Sequence, residues 1–161
     1  DPNETSAAWL AAVTHDGPTA IILSRQNVPS LTDGSAVAAG AAIVHSVSAP
    51  QAVLIGTGSE LSVAMEASQI LEQDGINVNV VSLPSWERFA SLPTDQQEQI
   101  IPRSLPRISV EAGSTFGWHH IATHCVGIDR FGASAPGNVV MEKLGITGAH
   151  VAAVAKAAVL G

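Results

Sequence analysis

Apolar and polar positions along this chain follow two periods that alternate. Ala52-Val53-Leu54-Ile55 is an unbroken apolar run, the pattern of a strand buried on both faces of a parallel sheet. Gly56-Thr57-Gly58-Ser59 then turns the chain. Leu61, Ala64, Met65, Ser68 and Leu71 follow at i, i+3, i+4, i+7 and i+10, which predicts a helix over Glu60 to Asp74, with Gly75 placed to take positive φ after it. Val78 to Leu83 supplies the next strand, so a βαβ unit is complete. Thr94 to Ile101, between Pro93 and Pro102, predicts a short helix capped by Thr94, and Arg107 to Glu111 another strand. Beyond it the pattern predicts a helix over 114–125, a short strand over 126–130, a loop from Gly132 to Gly137, and helices over Asn138 to Leu144 and His150 to Leu160. Alternation at these lengths gives the expected fold class, α/β, with an open, mostly parallel twisted sheet and helices on both faces.

The first residues read differently. In Asp1-Pro2-Asn3-Glu4, Asp1 can cap a helix, Pro2 suits its first position, and Glu4 stands where a capping box wants an acid. Trp9, Leu10 and Val13 form one apolar stripe on that helix, and Asp16-Gly17-Pro18 stops it before a strand-like run, Thr19 to Leu23. A parallel strand needs neighbours, and no strand precedes this one, so the reading places Asp1 inside a domain. Residues 29–40 are small, turn-prone and without period, as interdomain connections are. The expected division is the end of one domain over 1–28, a linker over 29–48 with a short edge strand at Ile43 to Val47, and a second domain over 49–161.

Composition narrows the function. Of 161 residues, 7 are Lys or Arg and 14 are Asp or Glu, a formal charge of −7 with scattered cations, which argues against a nucleic-acid partner. One cysteine, Cys125, builds neither a disulfide framework nor a cysteine metal site, and fits a reducing cytoplasmic setting. The chain has no run of about 18 apolar residues and no basic n-region, so neither a membrane span nor a signal peptide is expected.

Several constellations could carry chemistry. The strand, Gly56 to Glu60 and helix arrangement could turn backbone N–H groups toward an anion, but it lacks the third glycine of a dinucleotide loop and the Gly-Lys-Ser/Thr of a P-loop; the plain alternative is a tight turn with Ser59 as N-cap. His120 and His124 would share a face of the expected helix at i, i+4, near His119 and Glu111, as zinc ligands do, but no Glu stands beside either in the metalloprotease order, and the plain alternative is histidines that meet solvent or a neighbouring subunit. Cys125 beside His124 reads better as a buried structural thiol than as a nucleophile. Asp129 to Pro136 reads as a stabilising loop or a subunit contact. Arg25, in Ser24-Arg25-Gln26-Asn27 after the expected strand, is the best functional candidate, because a guanidinium at a strand's carboxyl end offers a planar fork to a phosphate or carboxylate. A structural ion pair is the competing explanation.

Four blocks together carry a resemblance: Gly17-Pro18-Thr19-Ala20-Ile21-Ile22-Leu23-Ser24-Arg25-Gln26-Asn27, Ile55-Gly56-Thr57-Gly58-Ser59-Glu60-Leu61, Val80-Val81-Ser82-Leu83-Pro84-Ser85-Trp86 and Asp129-Arg130-Phe131-Gly132-Ala133-Ser134. In this order they resemble the carboxyl-terminal part of transketolase, over essentially the whole chain. The Ser-Arg-Gln-Asn block distinguishes transketolase from more distant thiamine-dependent relatives. The resemblance implies a cytoplasmic, homodimeric transferase of the pentose phosphate pathway that moves a two-carbon ketol unit between sugar phosphates using thiamine diphosphate and Mg²⁺. It implies that residues 1–28 end the pyrimidine-binding domain and that 49–161 are the C-terminal domain. Arg25 matches the family's substrate-phosphate arginine. No catalytic, cofactor-binding or metal-ligating residue carries over, since those motifs belong to an N-terminal portion upstream of Asp1. The segment is therefore expected to be inactive alone and to supply Arg25 and a dimer or structural surface. The competing expectations are a stand-alone anion- or nucleotide-binding regulatory module and a purely structural assembly domain.

Overall fold

The apolar run at 52–55 becomes the middle strand of a five-stranded sheet. The computed structural model describes residues 1–161. Its elements in chain order are α1 (Pro2–Thr14), α2 (Ala36–Ala39), β1 (Ala42–His45), β2 (Ala52–Gly56), α3 (Leu61–Gln73), β3 (Val78–Ser82), α4 (Trp86–Ala90), α5 (Thr94–Ile100), β4 (Arg107–Val110), β5 (His124–Val126), α6 (Gly137–Leu144) and α7 (Gly148–Leu160), with single 3-10 turns at Gly58–Glu60 and Trp118–His120. The strand order is β1-β3-β2-β4-β5. β2, β3, β4 and β5 are parallel, and β1 lies antiparallel on β3 at the edge.

Successive side chains of β2 enter two different cores. Ala52 and Leu54 join Val78, Val80, Ile108 and Val110 beneath α3 and α7, where Leu61, Leu71 and Val151 are buried. Val53 and Ile55 join Val81, Leu83, Phe89, Ile101 and Trp118 on the opposite face. All four β2 residues before Gly56 have 0% exposure, so helices must cover both faces, as the alternating sequence predicts. Trp86 and Trp118 meet edge to face there, with ring centroids 4.8 Å apart. The apolar stretch Gly137–Leu160 reaches a mean hydropathy of 1.3 over 18 residues, but Gly145 at φ 80° and the Thr147 cap divide it into α6 and α7. Neither is long enough to cross a bilayer.

Several expected elements differ. Thr19 to Leu23 has no strand geometry, because no other strand of this chain lies beside it to complete a ladder, and no backbone hydrogen bond outside the helices and strands involves residues 18–30. The α1 stripe is uncovered, with Trp9, Leu10 and Val13 at 57%, 65% and 74% exposure. The expected linker contains α2, and its edge strand, β1, belongs to the sheet. A helix over 114–125 does not form: Gly117 at φ 88° interrupts it, and only one 3-10 turn precedes β5, which lies two residues earlier than the expected strand. Thr94 is the first residue of α5 rather than its cap. α4, capped by the Ser85 hydroxyl, was not legible.

Asp129 organises the connection after β5. Its Oδ1 accepts from Ser114 Oγ and Thr115 N, and its Oδ2 from Thr115 Oγ1 at 2.7 Å. The Thr115 hydroxyl, ahead of the Thr115 amide and Ser114, holds the Asp129 carboxyl below the usual 3.8.

Two consequences can be measured. Gly40 ends α2 at φ 84°, and a Cβ there would overlap the Phe89 nitrogen and lie 2.5 Å from Ser85 O. Gly40→Ala should therefore cost about 3 kcal/mol or more, read as a lower denaturation midpoint with an unchanged slope. The Asp129 pKa is lowered on folding, so its stabilising contribution is complete above the unfolded value and is lost as pH falls through the folded value. In a carboxyl titration followed by NMR, the Thr115 amide shift should move with Asp129 below pH 3.8, and Asp129→Asn should abolish that transition.

Candidate functional site

Arg25 lies at a bend immediately after the irregular 18–24 segment and is exposed. The side-chain ion pairs of the chain are Arg103 with Glu98 and Lys156 with Asp74. Neither involves Arg25, and no hydrogen bond holds its guanidinium. Within this chain no acid forms the structural ion pair that competed with a binding role. All the donors of the fork remain available to an outside acceptor.

The Arg25 segment borders a groove of about 840 Å³. One wall is α1, with Glu4, Thr5 and Ala8, and the other is the 19–28 segment, with Ser24, Gln26 and Asn27. The floor comes from the turn after β2, Thr57 to Ser59, and from Pro84, Ser85 and Arg88 after β3. The groove thus opens at the carboxyl ends of two adjacent parallel strands, where open α/β sheets bind ligands. Arg25 does not line it, although the residues on either side do. Arg88 lines it and has no side-chain partner. Arg88 left no signal in the sequence, because the short α4 that presents it carries too few residues to show a period.

The Gly56 to Glu60 turn is built for packing. A Cβ on Gly56 would lie 2.7 Å from Leu61 Cα, so only glycine lets α3 start this close to the strand. Ser59 is not the N-cap; it donates through Oγ to Glu60 Oε1 at 2.7 Å. Glu60 is buried, and its Oε2 accepts from Ala112 N at 3.1 Å. That carboxylate occupies the crevice between the carboxyl ends of β2 and β4, the point where the strand order reverses. A carboxylate there would oppose a phosphate beside the turn that the anion-binding alternative invoked.

The other candidates separate. His119, His120 and His124 share no helix face, and no three His, Cys, Asp or Glu side chains converge in a metal-holding group. Cys125 is half-buried rather than buried, and its Sγ lies 3.6 Å from His119 Nδ1, while the adjacent His124 turns to Thr123 Oγ1 at 3.1 Å. In the Asp129 to Pro136 loop Arg130 Nη2 donates to Lys143 O at 3.3 Å, and Phe131 is fully exposed.

Residues 40–147 match the family model described as Transketolase-like TK C-terminal domain. A transketolase of Halalkalibacterium halodurans is 42% identical over 98% of this chain, and the chloroplastic transketolase of Craterostigma plantagineum is 43% identical over 97%. The alignments cover 25% and 32% of those relatives. Among solved structures, transketolase from Leishmania mexicana superposes with a TM-score of 0.94 at 37% identity, over 99% of this chain and 24% of that one. A Pichia stipitis transketolase in complex with sedoheptulose 7-phosphate gives the same TM-score and coverage at 33% identity. This chain spans about a quarter of the length of most of these proteins, and its sheet, its Gly56 to Glu60 turn and its Ser24 to Asn27 segment all fall within the matched part. It belongs to the transketolase-like TK C-terminal domain family.

Proposed function

We propose that this chain is the carboxyl-terminal part of a transketolase, a transferase that moves a two-carbon ketol unit between sugar phosphates, and that Arg25 binds the substrate phosphate. The observation that carries this reading is a guanidinium with no internal partner, presented beside a groove by a segment whose apolar neighbours are bare. Ile22 is 96% exposed, and the α1 stripe is open on the same part of the chain. Both fit a pyrimidine-binding domain of which residues 1–28 are the end, joined through a linker over 29–48 to a C-terminal domain over 49–161. The relative solved with sedoheptulose 7-phosphate supports a sugar phosphate as the ligand class.

The chemistry resides elsewhere in the complete enzyme. Thiamine diphosphate with Mg²⁺ would supply the carbanion chemistry, but this chain's donor set does not fit the group: its buried carboxylates Glu4 and Glu60 are already occupied by Ser82, Ser59 and Ala112, and no acid or histidine cluster can hold the ion. This reading assigns the cofactor to an N-terminal portion of the complete enzyme. Arg25 binds a group remote from the reacting carbon, and that binding energy orients the sugar. Two parallel N–H···O bonds from one fork fix a phosphate better than a point charge does. Assembly as a homodimer in the cytoplasm completes the reading.

In the complete enzyme, Arg25→Ala should raise KM for phosphorylated sugars by about 2 to 4 kcal/mol, or tens to hundreds of fold, and leave unphosphorylated sugars unchanged. Arg25→Lys should fall between. Equal effects on the two sugar classes would reject the phosphate role. The isolated 161 residues should show no ketol transfer, and mixing them with a separately expressed N-terminal portion should restore it; activity of this chain alone would sink the proposal.

A further inference from the structure

We propose that Asp1 is a positioning residue for Arg25, and that its carboxylate fixes the segment that carries the guanidinium. An N-cap carboxylate ordinarily serves the first turn of its own helix. Asp1 does this, with Oδ1 accepting from Asn3 N and Glu4 N at 3.0 Å each. It also accepts from the chain thirty residues on: Leu31 N and Thr32 N donate to Oδ2 at 2.7 Å each, and Thr32 Oγ1 donates to Oδ1 at 3.0 Å. Asn3 Nδ2 reinforces the junction by donating to Thr32 O at 2.6 Å. Five donors thus converge on two oxygens.

The position of this junction gives it a second role. Residues 18–30 make no backbone hydrogen bond, so within this chain the course of the Arg25 segment is set by its two ends. One end is α1, and the other is Leu31 and Thr32, pinned to the start of the same helix. Glu4, buried one turn into α1, accepts from Ser82 Oγ at the carboxyl end of β3. The clamp is therefore anchored to the sheet at the floor of the groove. Arg25 is presented from a loop closed by one carboxylate, and that closure sets where the guanidinium stands relative to the strand ends.

An asparagine at position 1 keeps the shape but has one acceptor oxygen, and its NH₂ group would face either the Leu31 and Thr32 amides or those of Asn3 and Glu4. The inference rests on the phosphate role proposed for Arg25, and two readouts separate them. In the complete enzyme, Asp1→Asn should speed hydrogen exchange in the peptide spanning residues 24–32 by about tenfold, with residues 52–56 unchanged. It should raise KM for a phosphorylated sugar by about tenfold while kcat and the KM for an unphosphorylated sugar stay within about twofold. Thr32→Ala, which removes one of the five bonds together with the acceptor of the Gly34 amide, should shift both readouts in the same direction by less. Unchanged exchange over 24–32, exchange that rises equally over 52–56, or a KM that is unchanged or rises equally for both sugars would overturn the inference. If Arg25→Ala fails to separate the two sugars, the phosphate role falls, and exchange over 24–32 still decides whether Asp1 holds the segment.

Discussion

Val53 and Ile55 pack toward Phe89 and Trp118, while Ala52 and Leu54 pack toward α3 and α7, so β2 has no face turned to water. A strand enclosed in this way must have its backbone paired on both sides and its crossovers laid over both faces. Parallel neighbours β3 and β4 satisfy the first requirement, and α3 with α7 against α4 with α5 satisfy the second. The same arrangement gathers the loops after β2, β3 and β4 at one end of the sheet. Everything with a claim to function in this chain meets that end.

Two charges define what the end can do. Glu60 closes the crevice between β2 and β4 with a buried carboxylate whose acceptors are occupied by Ser59 and Ala112. The place where a doubly wound sheet most often receives a phosphate is thereby made repulsive to one. Beside β2 and β3 the groove is lined by Asp1, Glu4 and Arg88, with Arg25 at its margin; both arginines lack acidic partners, whereas the Asp1 carboxylate is taken up by the amides of residues 3, 4, 31 and 32 and the Thr32 hydroxyl. Glu4, the second acid on that wall, accepts the Ser82 hydroxyl. The sheet thus carries an acid at its reversal point and two arginines without acidic partners at the joint with α1.

Most of the sheet was legible because burial writes itself into sequence. The run at Ala52 to Ile55, the stripe from Leu61 to Leu71 and the stop at Gly75 each reflect one local rule, and each held. The failures share a cause, which is that their outcome is decided by partners the local pattern does not contain. Thr19 to Leu23 has strand residues and no strand to pair with. Residues 114–125 have helical spacing, but Gly117 takes positive φ under the Trp86 ring and breaks the helix. Ser59 and Thr94 have the chemistry of caps and sit one position off, because a 3-10 turn and Pro93 set those starts. Arg25 was found as a residue type at the end of an apolar run, and its lack of a partner needed coordinates. Arg88 and the long reach of Asp1 left no sequence signal, since contacts over thirty residues have no period.

The exposed apolar surface is confined to particular places, and that distribution bears on how the chain is used. From Ala36 onward the large apolar residues are well buried, apart from Phe116, Phe131 and positions on the last helices. The first 28 residues do the reverse: Trp9, Leu10, Val13, Ile22 and Leu23 are all bare, while the one buried side chain of α1 is a glutamate directed at the C-terminal sheet. A helix that turns its acid inward and its apolar stripe outward is consistent with two neighbours of opposite character. The polar neighbour is present in β3 and in Leu31 and Thr32. An apolar neighbour on the other side would complete a ladder for Thr19 to Leu23 and cover α1, holding Arg25 from both directions, with the hydrogen bonds of Asp1 and Glu4 on one side and hydrophobic packing on the other.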